Sequence, residues 1–222
     1  MFCLKMKNKK QKHRHKKLDL NRPQPFLDEK PVILIVCEGK NTEPSYFSQF
    51  RISSAKVIAI GEGYNTISLV DRTIELAKNQ SYDQIWCVFD KDDFPNQDFN
   101  TTIKKAESSY FKVAYSNQAF EYWLILHFED HQGGKMHRDD YHDKLNNLLE
   151  PFDVAYSRTK KVEEDFFELL DGFDSKTRKK RVELAIHRAK RNIDMFPQDT
   201  TPAERESSTT VYKLVEELLK YT

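Results

Sequence analysis

The stretch Pro31-Val32-Ile33-Leu34-Ile35-Val36 is an unbroken aliphatic run that stops at Cys37-Glu38-Gly39. Aliphatic and β-branched side chains without alternation fit a strand covered on both faces, as in a parallel sheet flanked by helices. Three further strand patterns follow, KVIAI at 56–60, QIWCVF at 84–89 and FKVAY at 111–115. Helical patterns separate them. Thr42 is placed to cap a first helix with Pro44 in its opening turn. Residues 66–78 carry Ile67, Val70, Ile74 and Ala77 at helical spacing, and 99–108 read as a third helix. Ser116 or Asn117 caps a strongly apolar fourth, SNQAFEYWLILHF. Strand and helix alternating with short links predict an α/β fold, a mostly parallel sheet of about four strands with helices on both faces.

Beyond His131 the character changes. No strand pattern stands out, and helical runs cover 140–150, 160–170, 176–193 and 209–219, the last preceded by the cap-rich ESSTT. The expected organisation is a basic tail over 1–25, a sheet domain over 26–130 and a helical extension over 131–222 packed on it.

A chain of 222 residues suits one domain with a sizeable core, or a core with a small appendage. With 36 basic and 35 acidic side chains the overall charge names no partner. Its distribution says more. Residues 5–17, KMKNKKQKHRHKK, read either as a solvated, self-repelling tail or as an electrostatic arm for phosphate backbones. No run approaches the ~18–20 apolar residues of a membrane span, and no apolar segment follows the N-terminal charges as in a secretory signal. Cys3, Cys37 and Cys87 have no metal-ligand spacing. A cytoplasmic location is expected.

In an open parallel sheet, the loops at the carboxyl ends of the strands share one edge, where ligands bind. Glu38 and Gly39 end the first strand, Gly61 and Gly63 the second, Asp90, Asp92 and Asp93 the third, and Ser116 and Asn117 the fourth, with Glu121 a turn further on. If the first and third strands are neighbours, Glu38 meets Asp90 and Asp92. In an extended segment, positions two apart face the same side, so both aspartates are expected to face one site, with Asp93 turned opposite. Oxygen-only ligands of this kind suit Mg²⁺, or Mn²⁺ as a substitute. A solvated turn rich in acids is the plain alternative.

Two stretches, VILIVCEGKNTEPSYF and IWCVFDKDDF, resemble the Toprim domain of topoisomerases, primases and several nucleases. The ordered set CEGKNTEPSYF, GYNTISLV, FDKDDF, SNQAFEYWLILHF and STTVYKLV resembles the RloB-like family, which includes the AbiL abortive-infection component. That likeness spans about 31–218. It implies a Toprim-like domain and a Mg²⁺-dependent nuclease of bacterial anti-phage defence, acting on DNA or RNA (tRNA among the candidates), often encoded beside an ABC-type or AAA ATPase partner. By motif, Glu38 matches the Toprim glutamate, and Asp90 and Asp92 match its Asp-x-Asp. The family's usual Asn-Pro before Ser-Thr-Thr is replaced here by Arg205-Glu206-Ser207-Ser208-Thr209.

Phosphodiester hydrolysis needs an activated water and charge neutralisation. Asp90 and Asp92 are the expected metal ligands, with Glu38 bridging or acting as general base. Lys40 and Lys91 are candidates to contact phosphate, and otherwise are solvated loop lysines. Glu121 either joins the metal shell or pairs with an arginine of the extension. His127 reads as a satisfied, partly buried histidine, and His131, His137 and His142 lack the spacing of a zinc pair. Tyr46, Phe47, Tyr64 and Trp123 read chiefly as core, and a phosphate-binding turn at Gly61-Glu62-Gly63 competes with plain turn glycines. Two other functions fit the same residues. One is a non-catalytic regulator or sensor of a defence ATPase, and the other a Mg²⁺-dependent nucleotidyl transferase or phosphohydrolase. No membrane partner is expected, and homo-oligomerisation stays open.

Overall fold

The computed structural model describes residues 30–222 except 53, 55, 63–65, 133 and 135. The basic segment 5–17, Cys3, Gly63 and Tyr64 lie outside the described residues.

Strand β1 (Val32–Cys37) leads to α1 (Thr42–Ser48), β2 (Lys56–Gly61), α2 (Thr66–Ala77), β3 (Gln84–Asp90), α3 (Asn96–Ser108) and β4 (Lys112–Asn117). A short helix α4 (Glu121–Ile125) opens the remainder, followed by α5 (Arg138–Leu149), α6 (Glu164–Asp171), α7 (Arg181–Asp194), a two-residue strand β5 (Ser208–Thr209) and α8 (Val211–Leu219). The sheet order is β2-β1-β3-β4-β5, with every pairing parallel except β4 with β5. The expected α/β architecture is therefore present, with one strand more than the sequence reading allowed.

Alternation along β1 sorts its side chains to two cores. Ile33, Ile35 and Cys37 join Tyr46 and Phe47 of α1, Trp123 of α4, and apolar residues of α5 to α8 in one buried cluster. Leu34 and Val36 join Leu69 and Val70 of α2 and Phe99, Ile103 and Ala106 of α3 in the other. Burial on both faces is why this strand reads as continuously apolar. Each fully buried aliphatic chain contributes roughly 1.5–3 kcal/mol of transfer free energy, so β1 anchors the whole structure.

Three local expectations are corrected. The apolar fourth helix is only five residues long, and Ser116 and Asn117 belong to β4 rather than to its cap. All five residues of α4 are buried, four of them apolar and the fifth Glu121. Thr210, at the cap position of α8, makes no side-chain cap bond, but the Thr209 hydroxyl of ESSTT accepts the Val211 N–H that opens the helix at 3.2 Å. Ser208 and Thr209 also pair with Asn117 and Ser116, and the Thr210 hydroxyl accepts the Tyr115 N–H at 2.9 Å. Polar residues that resemble a cap thus close the edge of the sheet. Helix α1 begins at Thr42 with Asn41 at its cap position, one residue earlier than expected.

Candidate functional site

Between β1 and β3 the chain connections reverse direction. β1 leads outward to β2 on one side, whereas β3 and β4 extend the sheet on the other. A crevice at the carboxyl end of the sheet is expected at such a reversal. A cleft of about 420 Å³ lies there, lined by Glu38, Glu43, Asp90, Asp92, Asp93 and Glu121, with Lys91, Arg138 and Arg158 as its cations.

The sheet ladder itself joins the two acidic strand ends. Cys37 is in register with Val88, and the Glu38 N–H continues the ladder to the Val88 carbonyl at 2.9 Å. The Glu38 carboxylate then accepts the Asp90 N–H at 3.3 Å and the Thr66 hydroxyl at 3.2 Å. Asp90 is fixed in turn by the Phe120 N–H, 3.1 Å from Oδ2. Residues 38 and 90 thus share one rim.

Glu43, from the first turn of α1, is the fourth acid of this group, and the sequence reading passed over it. It is 7% exposed. Its Oε1 accepts the Gly39 N–H at 3.2 Å, and a Cβ on Gly39 would stand 2.3 Å from Oε2, so a side chain there would displace the carboxylate. The available signal was an acid in the first helical turn behind an acidic strand end, since the first turn of a helix favours carboxylates.

Burial and mutual repulsion act together here. Loss of water pushes the Glu43 carboxyl up to about 7, with Glu121 and Glu38 adding to the rise. Asp90 is raised well above the ordinary aspartate range by burial, then by Glu43, Glu121 and Glu38. Burial also raises Glu38, against the Asp90 N–H and Thr66 hydroxyl that favour its ionised form. Such a cluster is short of positive charge.

Asp92 departs from its expected geometry. β3 ends at Asp90, and Asp92 sits in a turn with φ 44°, so the two aspartates are not on one face of an extended strand. Both still line the cleft, and Asp92 pairs there with Arg138. Asp93 is exposed at the rim. The Lys91 side chain is buried with its amine 3.3 Å from the Asp92 carbonyl, and loss of water lowers its pKa. Lys40 is exposed and does not line the cleft.

Glu121 is 4% exposed, lines the cleft and pairs with an arginine of the extension. Its Oε1 accepts Arg158 Nε at 2.8 Å and the Tyr156 hydroxyl at 3.1 Å. Tyr156 also meets the Thr42 hydroxyl at 3.2 Å. Thr66, Arg138, Tyr156 and Arg158 escaped the sequence reading as site residues, because Thr66 reads only as a helix start and MHRDD and AYSRTK follow no local pattern that ties them to Glu38.

His127 is fully buried rather than partly so, and it lies outside the cleft. Its Nδ1 is 3.0 Å from the Trp123 carbonyl, and burial lowers its pKa to about 3, so it stays neutral. Tyr46, Phe47 and Trp123 are core, as expected. Gly61 serves close approach, since a Cβ there would stand 2.5 Å from the Gly39 carbonyl oxygen and 2.7 Å from Lys40 Cα. Cys37 and Cys87 are buried free thiols.

The family model described as RloB-like protein matches residues 33–218, most of the chain. This chain belongs to the RloB-like family. The matched span begins one residue into β1 and closes at the last buried leucine of α8, so it takes in both cores and the cleft. No curated protein and no solved structure matches the chain. Among the described residues, no helix is long and apolar enough to cross a membrane.

The donor chemistry at the RloB-like cleft suits a hard divalent ion. Every acid is an oxygen donor, the carboxyls raise one another, and Asp92 Oδ1 is enclosed without a hydrogen-bond partner. As the side chains stand, no three His, Cys, Asp or Glu groups among the described residues surround a common point. Glu121 and Asp92 are paired with Arg158 and Arg138.

Proposed function

We propose that this RloB-like protein is a Mg²⁺-dependent nuclease that hydrolyses phosphodiester bonds of DNA or RNA in bacterial anti-phage defence. The observation that carries the reading is the convergence of Glu38, Glu43, Asp90 and Glu121 at the reversal between β1 and β3. Glu38, Asp90 and Asp92 would hold the ion, with Mn²⁺ as a substitute. Bound there, a divalent ion supplies charge neutralisation and a water of lowered pKa.

The chain's own groups have definable tasks. The Asp90 N–H and Thr66 hydroxyl hold the Glu38 carboxylate in one orientation, as suits a ligand or a base. Glu43, poised near neutral pH by burial and its neighbours, is suited to accept a proton from water and return it. An ATPase partner, DNA or RNA as substrate, and the Toprim-type ancestry of the sheet belong to this same proposal.

Incubation with single- and double-stranded DNA and RNA in Mg²⁺ or Mn²⁺, alone and beside the neighbouring ATPase, tests it. Cleavage is expected, and Glu38→Gln or Asp90→Asn should lower it by about 10²-fold or more. Equal products from wild type and both variants would sink the reading. Mn²⁺ titration by electron paramagnetic resonance gives a second readout, with binding expected for the wild type and lost in Asp90→Asn. The pairing of Asp92 and Glu121 with arginines favours a second reading, a non-catalytic regulator of the ATPase. Phage protection retained by the Glu38→Ala, Asp90→Ala, Asp92→Ala triple variant would select it.

A further inference from the structure

Arg138 is the first residue of α5 and lines the cleft opposite the acidic strand ends. An arginine facing a carboxylate ordinarily makes two parallel bonds. Here the guanidinium meets Asp92 through Nη1 alone. Arg138 Nε is enclosed with no acceptor, and Asp92 Oδ1 is enclosed with no donor. One unmet donor and one unmet acceptor therefore lie within a single ion pair.

Arg158 differs. Its Nε donates to Glu121 at 2.8 Å, its Nη1 to Asp139 at 3.0 Å and its Nη2 to the carbonyl of Arg138. These contacts hold the backbone of Arg138 against the acid cluster and leave Arg158 engaged on three sides. Lys91 is a weaker rival for an anion, because its amine is turned to the Asp92 carbonyl.

We propose that Arg138 is the phosphate-binding residue of this cleft, that it takes a phosphodiester of a polynucleotide arriving with a divalent cation, and that Arg158 is its positioning residue. The chemistry of the two unmet atoms selects that ligand. A phosphate oxygen satisfies Arg138 Nε, and the accompanying cation satisfies Asp92 Oδ1. A bare anion is disfavoured, because six acids line the cleft against three cations. The proposal rests on the nuclease reading only for the nature of the ligand, and binding can be measured without turnover.

The test is fluorescence anisotropy of labelled single-stranded DNA and RNA 20-mers with the full chain in Ca²⁺, repeated from low to high salt. Arg138→Gln is expected to weaken binding roughly tenfold and to flatten the plot of log affinity against log salt by about 0.7, the loss of one single-strand phosphate contact. Arg138→Lys should keep the slope and lose part of the affinity, since it retains the charge without the planar fork. Arg158→Gln should weaken binding and be partly rescued by Arg158→Lys. Arg191→Gln, which breaks a pair with Asp130 away from the cleft, should leave both quantities unchanged. Competition by inorganic phosphate at concentrations equal in phosphate groups to the 20-mer would assign the site to free phosphate and overturn the polynucleotide claim. Wild-type affinity and slope in Arg138→Gln, or no binding of either 20-mer by the wild type, would also overturn it. Arg138-dependent binding without cleavage would leave this site standing and remove the nuclease reading. Cleavage with unchanged KM in Arg138→Gln would do the reverse.

Discussion

Glu43 concentrates the electrostatic tension of the molecule in one side chain. Its carboxyl has an ordinary value of 4.5 and is raised to about 7 in the fold. Below pH 4.5 both folded and unfolded chains hold the proton, so the residue has no net effect. Between 4.5 and about 7 the unfolded chain releases it while the folded chain retains it, so stability falls as pH rises. Over that interval the loss is on the order of 3 kcal/mol at 1.36 kcal/mol per pH unit. Thermal unfolding in EDTA should therefore show a Tm that declines from pH 5 to pH 7.5, and Glu43→Gln should flatten the decline and raise Tm at pH 7.5. A Glu43→Gln profile parallel to wild type would contradict this account. Mg²⁺ should restore Tm more at pH 8 than at pH 5.5, because the ion competes with the protons that the cluster holds.

At the scale of elements, the loop after β1 and the last residue of β2 touch backbone to backbone. The close approach of Gly61 to Gly39 and Lys40 leaves no space for a methyl group. Gly61→Ala should cost about 1–3 kcal/mol in urea unfolding, because backbone atoms must shift to admit the added carbon. It should also weaken Mn²⁺ binding, since the same shift moves Glu38 and Glu43. Unchanged stability together with unchanged Mn²⁺ affinity would show that the loops are not coupled in this way. The element pattern was legible where periodicity and burial agree. β1 and β3 read correctly because burial on both faces makes their central residues apolar. β5 was missed, since two residues carry no period and Ser208-Thr209 has the composition of a helix cap.

At the scale of the molecule, the C-terminal half is not a separable appendage. Its Tyr141, Leu145, Val182, Ala185 and Leu214 share one buried cluster with Ile33, Ile35 and Trp123. Its Tyr156 and Arg158 complete the cleft by bonding to Glu121. Calorimetry of the described span should therefore give one cooperative transition, with calorimetric and van't Hoff enthalpies equal. A fragment ending at residue 130 would expose the apolar faces of β1 and α4, and should bind a hydrophobic dye and lack near-ultraviolet circular dichroism. Two resolved transitions, or a fragment with native-like near-ultraviolet signal, would show the halves to be independent.

The sequence alone determined the class of fold and the two acidic strand ends, because hydrophobic period and strand-end position are local properties that survive in one dimension. The placing of Glu38 beside Asp90 needed strand order, which the sequence left as a condition and the β1–β3 pairing met. Tertiary structure alone decided the rest of the cleft. Glu43 packs into it against Gly39, Asp92 enters it from a turn because the strand ends before it, and Arg138 and Arg158 arrive from a segment more than forty residues beyond Asp92. Charge complementarity across such distances leaves no periodic trace, since it depends on where the folded chain returns and not on what lies nearby in sequence.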